Sequence, residues 1–143
     1  MIRNALLLIL FFTIPGSAFA DSALLTADTA YQRARSGHIT LLDIRSPGEW
    51  RQTGMPAGAV ALTMHNPDGA DAFYKDVLEA VGRDKSRPIA VICAAGNRSR
   101  WAQAFLTSKG FTNIQDVGEG LFGNGALPGW LKRGLPVRQQ VGR

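Results

Sequence analysis

The 143-residue sequence holds a single cysteine and two histidines. One cysteine, Cys93, excludes any intrachain disulfide framework. His38 and His65 lie far apart in turn-rich stretches, and neither has a partner at metal-ligand spacing. Both read as surface residues, and neither a metal nor a cofactor is expected. Charge of one sign is not concentrated either. Sixteen Lys and Arg against eleven Asp and Glu give a net charge of +5, scattered except for a modest cluster at Lys132, Arg133, Arg138 and Arg143. Aromatic residues do not interleave with these basic positions, which argues against a nucleic-acid surface. A solvated surface with a mild preference for small anions is left. Internal repeats, low-complexity segments and linkers are absent, so one domain is expected.

Long apolar runs are missing too, except at the start. Met1-Ile2-Arg3 gives a short positive beginning, Ala5 to Ile14 is almost unbroken apolar, and Pro15-Gly16 interrupts it. Ala18-Phe19-Ala20 supplies the small-x-small pattern of a signal-peptidase site before Asp21. The run is short of the roughly 20 residues a bilayer crossing needs. Residues 1–20 are therefore read as a cleavable signal peptide and 21–143 as the mature domain, placed in the bacterial periplasm or an equivalent space. No later stretch is apolar enough to cross a membrane, so no membrane association is expected after cleavage.

What the chain does have is alternation of strand and helix patterns. Thr26 or Asp28 caps a helix running through Arg35, with Gly37 as its stop. Thr40 to Ile44 reads as a strand. Ser46 is an N-cap with Pro47 at the first helical position, and Gly54, Pro56 and Gly58 break the chain before a strand at Ala59 to Leu62. Phe73, Tyr74, Val77, Leu78 and Val81 form one face of a helix over Ala70 to Val81. Ile89 to Ile92 is an apolar strand, a helix spans about Ser99 to Ser108, and Asn113 to Val117 is a further strand. Leu135-Pro136-Val137 closes the fold. Strands that are apolar along their whole length, alternating with helices, predict an open, mostly parallel α/β sheet with helices on both faces.

Cys93 ends the apolar run Pro88 to Ile92 and opens Cys93-Ala94-Ala95-Gly96-Asn97-Arg98-Ser99. A buried strand delivers the thiol to the carboxyl edge of the sheet. A short loop with a central glycine can turn backbone N–H groups inward, and a helix beginning near Arg98 and Ser99 aims its positive end at the same point. This setting favours a thiolate, so Cys93 reads as a nucleophile. Gly96 permits a backbone conformation other residues resist. The small side chains of Ala94 and Ala95 are expected to leave the mouth open. Arg98 has two readings, an anion partner or a brace behind the loop. Ser99 reads as the helix N-cap.

Two segments together resemble the rhodanese (sulfurtransferase) family. Asp43-Ile44-Arg45-Ser46-Pro47-Gly48-Glu49-Trp50 with the turn Gly54 to Ala59 is similar to the family's D-[IV]-R-x-x-x-E-[FYW] motif and following turn, and Cys93 to Ser99 resembles its C-x-x-G-x-R-[SA] active loop. Val117 to Gly120, through Trp130 to Val137, resembles its closing segment. The resemblance implies a five-stranded parallel sheet and a persulfide mechanism. In it Cys93 takes the outer sulfur of a small anion such as thiosulfate and passes it to cyanide, a thiol or a protein partner. Asp43, Arg45 and Glu49 then read as supporting residues, with an Arg45–Glu49 ion pair holding the turn and Asp43 anchoring the active loop.

Two features depart from the family pattern. Ala94 and Ala95 are neutral where thiosulfate-using members often carry a basic residue, and the Gly54 to Ala59 turn is one residue longer and lacks the usual histidine. Two other readings compete: a sulfur carrier or interaction module without fast turnover, and a cysteine-dependent phosphatase. Phosphatase loops place the arginine one position further from the cysteine than Arg98 stands from Cys93, to encircle a tetrahedral oxyanion.

Overall fold

The computed structural model describes residues 23–139, so the expected signal peptide and Arg143 lie outside the described residues. Helix α1 spans Ala27–Arg35, and its N-cap is Thr26, whose side chain accepts from the Thr29 N–H at 3.2 Å. Asp28 in its first turn and Arg33 and Arg35 in its last complement the helix dipole. Strand β1, Thr40–Asp43, follows, then α2 over Pro47–Thr53. Ser46 closes a capping box on α2: its hydroxyl takes the Glu49 N–H while the Glu49 carboxylate takes the Ser46 N–H at 2.9 Å. Beyond lie β2 (Met55–Pro56), β3 (Val60–Ala61), α3 (Ala70–Ala80), β4 (Ile89–Ile92), α4 (Asn97–Ser108), β5 (Ile114–Asp116) and β6 (Val137–Arg138).

Strands β3-β1-β4-β5 form a parallel sheet in that order, with Leu42 opposite both Val60 and Val91, and Val91 opposite Asp116. Side chains alternate across it and feed two cores. Leu41, Ala90 and Ile92 pack with Ala27 and Ala30 of α1, Trp50 of α2 and Trp130. Leu42, Val91 and Cys93 pack on the other side with Phe73 and Val77 of α3 and Ala102 and Leu106 of α4. The predicted sheet with helices on both faces is what forms.

The strand count differs from the expected five. Among the described residues the parallel sheet has four strands, and its far edge carries only a bridge between Leu24 and Asp116, held by Leu25 N–H to Asp116 O and Asp116 N–H to Ala23 O, both 2.8 Å. Thr26 already caps α1, which leaves no length for a strand there. The turn after α2 is not a plain break: Met55 and Pro56 pair antiparallel with Arg138 and Val137. Pro56 sits at the end of β2, where its missing N–H costs no ladder bond. The predicted Ala59–Leu62 strand narrows to Val60–Ala61, and α4 begins two residues before the predicted Ser99.

Candidate active site around Cys93

All four residues of β4 are buried, and they bring Cys93 to the carboxyl end of the sheet. The chain then turns at Gly96, with φ +93°, and enters α4. A Cβ at Gly96 would collide with the Gly118 carbonyl, so this turn requires glycine on two grounds. The turn points the Gly96 N–H at the Cys93 sulfur, 3.1 Å away, and the Ser99 N–H and Oγ both lie 3.4 Å from it. Two backbone donors at the positive end of a 12-residue helix thus converge on one sulfur. Ser99 is not the N-cap. Gly96 holds that position, and Ser99, wholly buried in the first turn, donates its hydroxyl to Gly96 O at 3.2 Å.

Ala95 and Asn97 form an exposed rim and Ala94 is half-buried, yet the sulfur's residue is only 1% exposed. The expected open mouth is therefore closed. The glycine-rich segment after β5 lies against the loop, with Leu121 N–H bound to Cys93 O and Phe122 N–H to Ala94 O, each at 2.9 Å.

Arg98 turns away from the sulfur to Glu49, with Nη2–Oε1 at 2.6 Å and Nη1–Oε2 at 2.9 Å. Of its two readings the brace is the one formed. These bonds, helped by the Ser46 N–H and hydroxyl, hold the Glu49 carboxyl down to about 2 against the opposing effect of burial. The Glu49 hydrogen bonds likewise raise Arg98 above the ordinary guanidinium range. The predicted Arg45–Glu49 pair does not form, because the capping box commits Glu49 to Ser46 and Arg98. Arg45 instead pairs with Asp43, Nη2–Oδ2 2.6 Å and Nε–Oδ1 2.9 Å, with both side chains fully buried. Arg45 also donates to Thr53 Oγ1 and Gly54 O. Asp43 therefore anchors Arg45 rather than the active loop.

Residues 26–123 match the family model described as a rhodanese-like domain. The chain belongs to this family. Its rhodanese-like relatives include a protein of Allochromatium vinosum named sulfurtransferase, 30% identical over 99 residues that cover 69% of this chain and 78% of the relative. An uncharacterized protein of Rickettsia conorii is 32% identical over 102 residues, 67% of this chain and 80% of its own. Among solved structures, that of Rv0390 from M. tuberculosis superposes with a TM-score of 0.64 at 30% identity, covering 81% of this chain and 96% of that one.

Two residues of this rhodanese-like domain join the site without having been singled out for it. His65 is exposed, but its Nε2 lies 3.0 Å from Arg98 Nη1, which makes it the acceptor of that bond. Asp116 is 2% exposed, and its Oδ1 has no hydrogen-bond partner among the described residues. Burial pushes its carboxyl up, while the Ser99 hydroxyl and the Arg100 charge pull the other way. Asp116 ends the strand beside β4, where open α/β sheets place their sites, and that rule was the available signal. His65 had none, since a lone imidazole in a turn carries no pattern. Among the described residues no His, Cys, Asp and Glu group of three could hold a metal ion.

Proposed function

We propose that this domain is a sulfurtransferase working through a persulfide on Cys93. The Cys93 thiolate attacks the outer sulfur of a sulfane donor. The new S–S bond forms as the donor's S–S bond breaks, and the electron pair leaves with the departing group, sulfite in the case of thiosulfate. A cyanide or thiolate acceptor then attacks the outer sulfur and returns Cys93 as thiolate. The observation that carries the reading is the pair of N–H donors, from Gly96 and Ser99, aimed at a single sulfur. They stabilise sulfur anion before and after transfer, and no proton relay is needed in the attack itself. The sulfurtransferase name of the Allochromatium vinosum relative supports the same class.

The test mixes purified protein with thiosulfate, polysulfide or a small-molecule persulfide, then weighs the intact chain and assays thiocyanate after cyanide. One added sulfur, absent in Cys93→Ser, is expected. No adduct from any donor sinks the proposal. An adduct without thiocyanate marks a carrier that hands sulfur to a protein partner. One observation favours that second outcome for thiosulfate: Glu49 occupies Arg98, and Ala94 and Ala95 bring no charge to meet a dianion. Turnover of an aryl phosphate that disappears in Cys93→Ser would instead establish the phosphatase reading.

We further propose export to the periplasm with cleavage after Ala20, resting on the pattern of residues 1–20. An N-terminus at Asp21 on protein recovered from the periplasmic fraction is the expected result. Among the described residues no helix is long and apolar enough to cross a membrane.

A further inference from the structure

Phe122 and Leu127 are large apolar side chains left 53% and 45% exposed, and both belong to the segment that lies over the Cys93 loop. The chain folds back on itself there. Gly123 bridges antiparallel to Pro128, and Asn124 Oδ1 accepts the Ala126 and Leu127 N–H groups at 3.0 and 2.9 Å. The Asn124 amide also donates to Gly118 O at 3.2 Å, which ties the tip of the fold-back to its base. A tip held this way is ordered before anything binds, and that lowers the cost of docking. The fold-back lines a cleft of about 370 Å³ with Phe122, Leu127, Pro128 and the exposed Lys132 in its walls. Leu127 also lines a second, smaller hollow together with Leu24 and Gly118, so the apolar surface runs on from Phe122 to Leu24. One end of this surface touches the active loop, where the Leu121 and Phe122 N–H groups bind Cys93 O and Ala94 O at 2.9 Å.

We propose that this surface docks a protein sulfur acceptor, through a segment that sets an apolar side chain beside a carboxylate. The apolar side chain packs on Phe122 and Leu127, the carboxylate meets Lys132, and a neighbouring cysteine thiolate attacks the outer sulfur of the Cys93 persulfide. The acceptor's new S–S bond forms as the Cys93 S–S bond breaks, and the electron pair returns to Cys93 as thiolate. Three observations choose this occupant. Contiguous exposed apolar side chains mark contact sites. Lys132 brings positive charge to the cleft while the adjacent Arg133 is committed to Glu119 and Asp28, so complementarity asks for one carboxylate. The sulfur, in a residue 1% exposed, is walled in by the same segment that carries the surface, and a partner seated there holds the clasp that a small acceptor cannot grip. A second copy of the chain is disfavoured, since it would bring together two molecules of net charge +5. A lipid surface calls for about four to eight clustered basic residues, where this cleft brings Lys132.

The inference deepens the sulfurtransferase reading by naming its acceptor and rests on that reading, so docking and transfer are measured separately. The Cys93 persulfide of the full chain, freed of donor, is offered three synthetic peptides that each carry one cysteine. The cysteine is flanked by leucine and glutamate in the first, leucine and lysine in the second, and serine and lysine in the third. Each transfer rate is divided by that peptide's own rate with iodoacetamide, which removes differences in thiol reactivity. The leucine–glutamate peptide is expected to accept sulfur about tenfold faster than the serine–lysine peptide, on the scale of burying part of one leucine side chain. Leu127→Ser should abolish most of that advantage, and Lys132→Glu should reverse the order of the two leucine peptides. Equal corrected rates overturn the proposal, and so does a preference that survives either substitution. Lys132 is exposed, so its variant keeps the test alive should Leu127→Ser fail to fold. A dimer in sedimentation that Leu127→Ser dissolves overturns it in favour of a second copy. Pelleting with phosphatidylserine vesicles that Lys132→Glu abolishes overturns it in favour of a lipid surface. Docking alone is followed by fluorescence anisotropy of the labelled leucine–glutamate peptide with serine in place of its cysteine. Binding of that peptide by a chain that takes up no sulfur removes the sulfurtransferase reading alone, and a persulfide passed to all three peptides alike removes the docking surface alone.

Discussion

Single residues at this site act through what they displace or neutralise. Asp116 is the clearest case, because a carboxyl raised in the folded state above its ordinary 3.8 binds its proton more tightly there than in the unfolded chain. Its contribution to stability is whole below about pH 3.8 and is lost as pH rises through the folded-state value. Asp116→Asn removes that loss. Urea unfolding at pH 7 should therefore show the variant more stable than the wild type, with the gap closing toward pH 3 to 4; an equal gap at both pH values contradicts the sign. Gly96 shows how much of the site the residue pattern already disclosed. A glycine between Cys93 and Arg98 signalled an unusual turn, and the positive φ is there. The obstacle that bars a side chain, the Gly118 carbonyl, comes from a segment 22 residues on and leaves no local trace.

At the scale of elements, the site is a joint between α2 and α4. Ser46 and Pro47 announced the start of α2 in the sequence, since an N-cap followed by proline at the first helical position is a local pattern. The destination of the Glu49 carboxylate was not legible, because Arg45 four residues before it and Arg98 far along the chain are equal candidates on charge alone. The capping geometry decides it, turning Glu49 toward Arg98 and leaving Arg45 to Asp43. The joint has a pH signature of opposite sign to that of Asp116. A carboxyl lowered from 4.5 to about 2 contributes stability that is present above about pH 4.5 and is lost as pH falls toward 2. Glu49→Gln should cost about 1 kcal/mol at pH 7, a value reduced by solvent at this partly exposed pair. The cost should vanish near pH 2, as read from denaturant midpoints across that range. The same variant releases Arg98, and a faster formation of the sulfur adduct from thiosulfate than in the wild type would show that guanidinium reaching the anion.

Across the whole molecule, strand and helix alternation gave the architecture because the central strands β1 and β4 bury both faces, and such strands read as continuous apolar runs. Edges were harder to read. The Leu24 bridge and the Met55–Pro56 pairing with Val137–Arg138 depend on partners distant in the chain, and two-residue strands carry no periodicity. The glycine-rich Gly118 to Gly134 stretch resembled the family's closing segment, but nothing in its own residues said what it would touch. In the structure its Leu121 and Phe122 amides clasp the carbonyls of Cys93 and Ala94, and Trp130 is fully buried beneath it. This clasp, which leaves Cys93 1% exposed, bears on how long the reduced protein survives. Peroxide must come into contact with a thiolate to convert it to sulfenic acid. A sulfur walled in by backbone is shielded from that encounter until the clasp lets go. The chain would therefore keep its one thiol serviceable in dilute hydrogen peroxide about tenfold longer than an exposed cysteine of similar acidity, since susceptibility follows exposure. Mass spectrometry of the oxidised fraction over time measures it, and oxidation as fast as that of a free thiol would show the clasp to be open most of the time.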